Sequence, residues 1–202
     1  GEREPTGGLA PKPPVDLTPS IHYRHIGWVI FNTSLVDGAQ GATVGFHSGR
    51  YFAGHQHPDQ NSFVLHAYGE KLAIDGGYYD WYGSPHFKAY SMTTLAHNTL
   101  LVDGAGQAVC KPGADGSVTA YFDSASYGYT AGDASAPKIY DGRVSRFDRR
   151  VLFIKPGFVV VHDLVAAAGK AARFDWMLHA VVPIETEDSG DSFRLACPKA
   201  AL

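Results

Sequence analysis

The fold class is decided by residues 62–75, which read SFVLHAYGEKLAID. Apolar and polar residues alternate from Ser62 to Tyr68, and successive side chains of a β-strand point to opposite faces. Gly69-Glu70 is a turn signal, and Lys71 to Asp75 then returns as a second short strand. The segment therefore predicts a β-hairpin that buries one face.

Further strand-like runs lie on both sides of this hairpin. They are short, rich in β-branched and aromatic residues, and bounded by turn residues such as Pro156-Gly157. The runs are residues 25–31, 43–47, 98–102, 118–123, 149–154, 158–163 and 173–180. Only residues 84–95 could be helical, and they lack a clear apolar stripe. Many short strands at close spacing predict an all-β fold of stacked antiparallel sheets, a β-sandwich or supersandwich.

The ends of the chain differ from its middle. Residues 1–20 are rich in Gly and Pro as far as Pro14, which indicates a linker or a strap that lies across another part of the protein. Residues 21–202 are then the antiparallel β-sheet domain. A last strand-like run at residues 192–197 lies close to the C-terminus, so we expect the sheet to be truncated there. Cys110 and Cys197 could form one disulfide or remain free thiols.

The composition excludes some classes of partner. The chain has 202 residues, 45% of them apolar and 18% charged, which suits one globular domain with a core. Its formal net charge of −3 provides no basic field for nucleic acid or for an anionic membrane surface. No apolar run approaches the roughly 20 residues of a spanning helix. We therefore expect neither nucleic acid nor a membrane as a partner.

The densest polar cluster is GHQHPDQN at residues 54–61. His55 and His57 are one residue apart, so they would point the same way on a strand. Neutral imidazole is the commonest metal ligand, and Asp75 and His97 could supply further ligands. His57, Asp75 and His97 would form a site of two histidines and one carboxylate, which suits zinc.

Structural interpretations carry equal weight for these residues alone. Ten histidines in one chain bring some together by chance. Asp75 precedes Gly76-Gly77, where an aspartate often bonds the amides of its own turn. His97 and Asn98 could be a hydrogen-bonding pair without any metal. Spacing alone leaves the metal site open.

Several blocks between His55 and Gln107 resemble the heparinase II/III-like family of polysaccharide lyases. They are HQHPDQNSF at residues 55–63, GEKLAIDGGY at 69–78, GSPH at 83–86 and AHNTLLVDG at 96–104, followed by Gln107. The order of these blocks is much more specific than any one of them. Weaker similarity continues over residues 149–179.

The resemblance implies a fold and a partner domain. Such lyases join an N-terminal (α/α) toroid to a C-terminal domain of stacked antiparallel sheets, and an anionic polysaccharide lies in the cleft between them. This chain corresponds to the β domain, so a toroid is expected upstream and the chain alone is expected to be inactive. The family also implies a bacterial protein that is periplasmic or secreted.

The resemblance further implies roles for single residues. His55 enters the catalytic centre, while His57, Asp75 and His97 hold a zinc ion that mainly fixes the direction of His55. The implied reaction is β-elimination at a uronic acid, in which the C5 proton is removed, the neighbouring carboxylate is neutralised and the leaving oxygen is protonated. We expect His55 to be the base or the neutralising group.

The segment from Tyr78 to Tyr90 is both aromatic and polar. It is either a sugar-binding loop or aromatic packing at the edge of a sheet. The candidate substrate-binding residues are Gln60, Tyr82, His86 and Tyr90. The one basic cluster in the sequence consists of Arg143, Arg146, Arg149 and Arg150, and we expect these strand arginines to be exposed and solvated.

Two other functions fit the same residues. The first is a carbohydrate-binding module that keeps the sheet and the metal but does no chemistry. The second is a zinc-dependent hydrolase on a β scaffold, in which metal-bound water attacks the substrate. Elimination leaves an unsaturated uronate that absorbs in the ultraviolet, whereas hydrolysis leaves none, so one assay separates these functions.

Overall fold

The computed structural model describes residues 12–51, 55–76, 81–187 and 189–202. Within these ranges the chain forms antiparallel β-sheets and two short helices, Phe87–Ser91 and Thr94–Ala96. The predicted all-β class is therefore confirmed. The segment that could have been helical, residues 84–95, contributes only these short turns. Neither helix is long and apolar enough to cross a membrane.

The first sheet has five strands in sequential order. They are β1 Ile21–Tyr23, β2 Trp28–Asn32, β3 Ala42–His47, β4 Ser62–Ala67 and β5 Glu70–Ala73. The hairpin predicted at residues 62–75 is present as β4 and β5. Its turn is formed by Tyr68 and Gly69, with φ of 54° and 81°, and the second strand ends at Ala73. Asp75 therefore lies beyond the strand.

The second sheet has four strands in the order β10-β9-β8-β7. They are β7 Ser117–Asp123, β8 Tyr127–Asp133, β9 Val144–Ile154 and β10 Phe158–Ala167. The predicted turn at Pro156-Gly157 joins β9 to β10. Two small pairs complete the described chain: β6 Leu100–Val102 with β11 Phe174–Trp176, and β12 Glu185–Thr186 with β13 Phe193–Arg194. Cys110 and Cys197 are both free.

The core lies between the two larger sheets. Phe31 and Phe46 of the first sheet pack with Val151 and Phe153 of β9 in one cluster of buried side chains. Strand β8 was not predicted, because its glycines argue against a strand. A Cβ at Gly128 would lie 2.5 Å from the ring of Phe31, so the close approach of the sheets requires glycine there.

One arginine of the basic cluster is buried between the sheets. The Arg149 side chain is 0% exposed, and its Nε and Nη2 each donate to the Asp163 carboxylate at 2.7 Å. Its Nη1 donates to the carbonyl oxygens of Asn61 at 2.8 Å and Asn98 at 2.6 Å. The expectation of a solvated side chain is wrong for Arg149, because its paired and hydrogen-bonded guanidinium can leave water. Arg146 and Arg150 are exposed as expected.

Tyr140 lies in a second cluster of buried side chains, beneath β6. Its hydroxyl donates to the Leu100 carbonyl at 2.9 Å and accepts from Gln107 Nε2 at 3.1 Å. Burial raises the pKa of Tyr140 from its ordinary value of 10.0 to about 12. The native state therefore keeps this proton in a pH range where the unfolded chain releases it.

We expect this difference to weaken the fold in alkali. The stabilisation from a protonated Tyr140 is complete below pH 10 and is lost as the pH rises from 10 to about 12, by roughly 3 kcal/mol. Denaturant unfolding at pH 9 and pH 12 checks this in wild type, Tyr140→Phe and the exposed control Tyr127→Phe. Tyr140→Phe should lose less stability over this range than the other two proteins. Equal losses in all three would contradict the prediction.

Candidate active site and metal centre

The two histidines of the HxH block lie on the loop between β3 and β4, not on a strand. His55 has a φ of 63°, in the left-handed region, and its exposed ring lies 5.8 Å from the ring of Tyr82. His57 is half-buried, and its ring is 5.1 Å from that of His97. The two side chains therefore contact different partners, one at the surface and one beneath it.

His57, Asp75 and His97, the three candidate metal ligands, lie close to one another. Asp75 Oδ1 is hydrogen-bonded to His97 Nδ1, and His97 is 1% exposed. Burial would lower the pKa of His97, but the bond to Asp75 and the charge of Asp59 hold this pKa above its usual value. Burial and the neighbouring His97 lower the pKa of His57, which favours the neutral imidazole that binds metals.

The fit of these residues to zinc rests on one atom in particular. His97 Nε2 is buried and has no hydrogen-bond partner among the described residues, an arrangement that is costly unless the atom has a ligand. His57 and His97 therefore fit a metal ion as two imidazole ligands. The described ranges contain no set of three His, Cys, Asp or Glu side chains spaced to hold a metal. Asp75 lies behind His97, where carboxylates commonly orient a ligating histidine.

Asn98 ties the surrounding segments together. Its Nδ2 donates to the carbonyl oxygens of Phe63 and Ile74, both at 2.8 Å, and its Oδ1 accepts from the backbone N–H of His179 at 2.8 Å. Asn98 is 0% exposed, so it satisfies the backbone beside the candidate metal ligands.

Asp59 is a component of this centre that the sequence interpretation missed. Its carboxylate is 3.0 Å from His47 Nδ1, and the His47 ring stacks on Trp28 with centroids 4.8 Å apart. Burial opposes ionisation of Asp59, but His47 keeps the pKa of its carboxyl below the usual range. The same negative charge acts on His57 and His97. The sequence signal that could have identified Asp59 is its position two residues after His57.

Gln60 was predicted to bind substrate, and the structure gives it a different role. The residue is 1% exposed, its Oε1 accepts from the N–H of Gly49 at 2.8 Å, and its Nε2 donates to the Ala114 carbonyl at 3.4 Å. A buried amide with these bonds cannot reach a sugar, so Gln60 is not a substrate-binding residue in this structure. It instead fixes the loop that precedes His55.

The other candidate substrate-binding residues lie on or before the first short helix. Tyr82 contacts both His55 and Phe87, and these three side chains line a cavity of about 80 Å³ together with His57. His86 is exposed and stacks on Tyr90 with ring centroids 5.3 Å apart. Tyr78 and Tyr79 of the same aromatic stretch lie outside the described residues, as does Gly77.

Comparison with known proteins agrees with this architecture. A family model described as heparinase II/III-like, C-terminal, matches residues 15–197. The mutant heparan sulfate lyase HepC from Pedobacter heparinus superposes with a TM-score of 0.72 at 16% identity, over 96% of this chain and 28% of that chain. A heparinase III superposes with a TM-score of 0.71 at 18% identity, over 87% and 26%.

The chain thus spans 26–28% of the length of these solved structures. Among curated proteins, none is significantly similar in sequence. At such low identities the superpositions on the solved structures establish a shared fold alone. The family match covers the β domain, including every candidate site residue. The resemblance carried by the motif blocks is confirmed: the chain belongs to the heparinase II/III-like family, as its C-terminal domain.

Proposed function

We propose that this chain is the β domain of a polysaccharide lyase that cleaves a uronate-containing anionic polysaccharide by β-elimination. The observation that carries the proposal is an exposed His55 that lies two residues before His57, whose half-buried ring contacts the buried His97, itself bonded to Asp75. The family match and the name of one structural neighbour, a heparan sulfate lyase, support the same chemistry.

His55 is the residue that we assign to the chemistry. Its imidazole is exposed and can serve as a general base or hydrogen-bond the uronate carboxylate. Tyr82, beside it, together with His86 and Tyr90, offers ring faces on which a sugar can stack. The remaining catalytic groups would come from an (α/α) toroid domain on the other side of the cleft.

Zinc is the metal that we propose for this cluster, with His57 and His97 as ligands and Asp75 as a third ligand or as the carboxylate that orients His97. A zinc ion held there would supply a fixed positive charge, and its ligands would connect separate segments of the chain. His57 and His97, held by the ion, would then keep the loop of His55 in one position. A periplasmic or secreted location follows from the proposed substrate, since large polysaccharides are met outside the cytoplasm.

The proposal is tested in a longer protein that includes the upstream domain. Incubation with uronate polysaccharides, such as alginate, heparan sulfate and hyaluronan, should produce ultraviolet absorbance from an unsaturated uronate. His55→Asn should lower this rate about 100-fold or more, because a positioned proton-transfer group typically contributes that much. Asn removes the imidazole yet tolerates the left-handed φ of 63° at this position.

His162→Asn is the matched control, since His162 is an exposed histidine on β10. It should keep the wild-type rate. New reducing ends without ultraviolet absorbance would overturn elimination in favour of zinc-dependent hydrolysis. Saccharide binding without cleavage by the longer protein would instead favour a carbohydrate-binding module.

A further inference from the structure

A buried ion pair lies beside the candidate metal ligands and has no role in the function proposed above. The Asp59 carboxylate is 3.0 Å from His47 Nδ1, and the two side chains are 15% and 6% exposed. The other partner of the His47 ring is Trp28, on which it stacks with centroids 4.8 Å apart. Two charges that leave water lose hydration, so a buried pair is weak evidence of a stabilising role. Asp59 is therefore a candidate for a different role.

The backbone around Asp59 is held on both sides. The N–H of Ser62 donates to the Asp59 carbonyl oxygen at 3.0 Å, and Thr94 Oγ1 donates to the Pro58 carbonyl oxygen at 2.8 Å. Thr94 is 1% exposed and begins the short helix that ends one residue before His97. These bonds fix the segment of Asp59 against the segment that carries His97.

The carboxylate of Asp59 is close enough to the candidate metal ligands for its charge to reach them. Asp59 and Asp75 line the same cavity, of about 50 Å³, and Asp75 is hydrogen-bonded to His97. Asp59 also lies two residues after His57, and its negative charge acts on the imidazoles of both histidines. Electrostatic interactions are stronger away from water, so the same charge attracts a cation held by these imidazoles.

We propose that Asp59, held by His47, strengthens the binding of a zinc ion at His57 and His97 through its negative charge, without being a ligand itself. The inference rests on the metal centre of the proposed function. Asp59 Oδ1 is already bonded to His47 Nδ1, which suits an outer position. A divalent cation with two neutral imidazoles and one carboxylate keeps a net positive charge, and a second carboxylate nearby offsets it. Asp59 touches no reacting atom in this assignment and is a positioning residue.

Competition with a coloured chelator measures the Kd for zinc in the wild-type protein and in Asp59→Asn. The substitution keeps the shape of the side chain and an oxygen that bonds His47, but it removes the charge. The Kd should rise about tenfold or more, the usual effect of losing an outer partner of a metal site. Asp191→Asn, which removes an exposed carboxylate between β12 and β13, is the control and should keep the wild-type Kd.

His47→Asn separates the charge of Asp59 from a purely structural tie. The amide nitrogen of asparagine lies near the position of an imidazole Nδ1, so Asp59 keeps both a donor and its charge, and the Kd for zinc should stay near the wild-type value. An equal rise of the Kd in His47→Asn and Asp59→Asn would show that the pair only holds the loop, and would overturn the proposal. If Asp59→Asn does not fold, the double variant of His47→Asn with Asp59→Asn replaces it. Its two amides can bond each other without charge, so its Kd should rise as well, and a wild-type Kd there would contradict the assignment.

Co²⁺ in place of zinc reports on the ligands through its visible absorption. The spectrum should be the same in wild type and Asp59→Asn, because the substitution changes no ligand. An altered spectrum would make Asp59 a ligand and overturn the assignment of an outer position. An unchanged Kd for zinc in Asp59→Asn would reject this inference and leave the metal centre intact. Wild-type protein that binds neither ion would reject the metal centre of the proposed function together with it.

Discussion

Replacing Arg149 with alanine is expected to lower the free energy of unfolding by about 3–5 kcal/mol, the usual cost of removing one partner of a buried ion pair. The change leaves the Asp163 carboxylate without the cation that accompanies it, and Asp163 is only 15% exposed. It also removes the donors to the carbonyl oxygens of Asn61 and Asn98. Urea unfolding at pH 7 measures the loss.

Arg146→Ala is the matched control, because Arg146 lies on the same strand but pairs with Asp148 at the exposed surface. It should cost less than about 1 kcal/mol. If Arg149→Ala does not fold, Arg149→Met combined with Asp163→Leu should recover a folded protein, since the unpaired charge is then gone. A loss below 1 kcal/mol in Arg149→Ala would show that the buried pair does not hold the sheets together.

Purified in the presence of zinc, the wild-type protein is expected to contain one zinc ion per chain, and His97→Ala is expected to contain none. His97 Nε2 is a buried atom with no hydrogen-bond partner in the described part of the chain, and a metal ion would supply one. Zinc at 1,000 times its Kd should stabilise the native state by about 4 kcal/mol. Elemental analysis and thermal unfolding with and without a chelator measure the two effects.

His66→Ala, an exposed histidine on β4, is the control and should keep its zinc. Asp75→Asn separates two roles for the carboxylate. A direct ligand should lose stoichiometric zinc, whereas a carboxylate that orients His97 should weaken the affinity only about 10–100-fold. Wild-type protein that folds and unfolds identically with and without zinc would reject the metal centre.

Much of the fold was predictable because the first sheet follows simple alternation. Phe63, Leu65 and Ala67 of β4 face the core, and the turn at Tyr68-Gly69 makes the chain return at once as β5. Strand β8 was missed for a physical reason. Its glycines lower strand propensity, and their use becomes visible only when Phe31 and Phe46 of the opposite sheet occupy the space beside them.

The candidate site was predictable where the type of side chain itself indicates metal binding. It was not predictable where the burial of a polar side chain decides its role. His57, Asp75 and His97 do converge, although from loops rather than from a strand face. Gln60 and Arg149 have the polarity of surface residues, and each is buried because distant backbone groups complete its hydrogen bonds. A sequence shows no trace of such long-range partners.

The bonds of Arg149 limit how far the site can be transplanted. A protein engineer who moved residues 21–110 into another scaffold would carry every candidate ligand and His55 along. The graft would nevertheless lack β9, so the carbonyl oxygens of Asn61 and Asn98 would lose their donor within an apolar setting. The motif therefore cannot be transferred alone. Any minimal version has to include β9, the strand that carries Arg149.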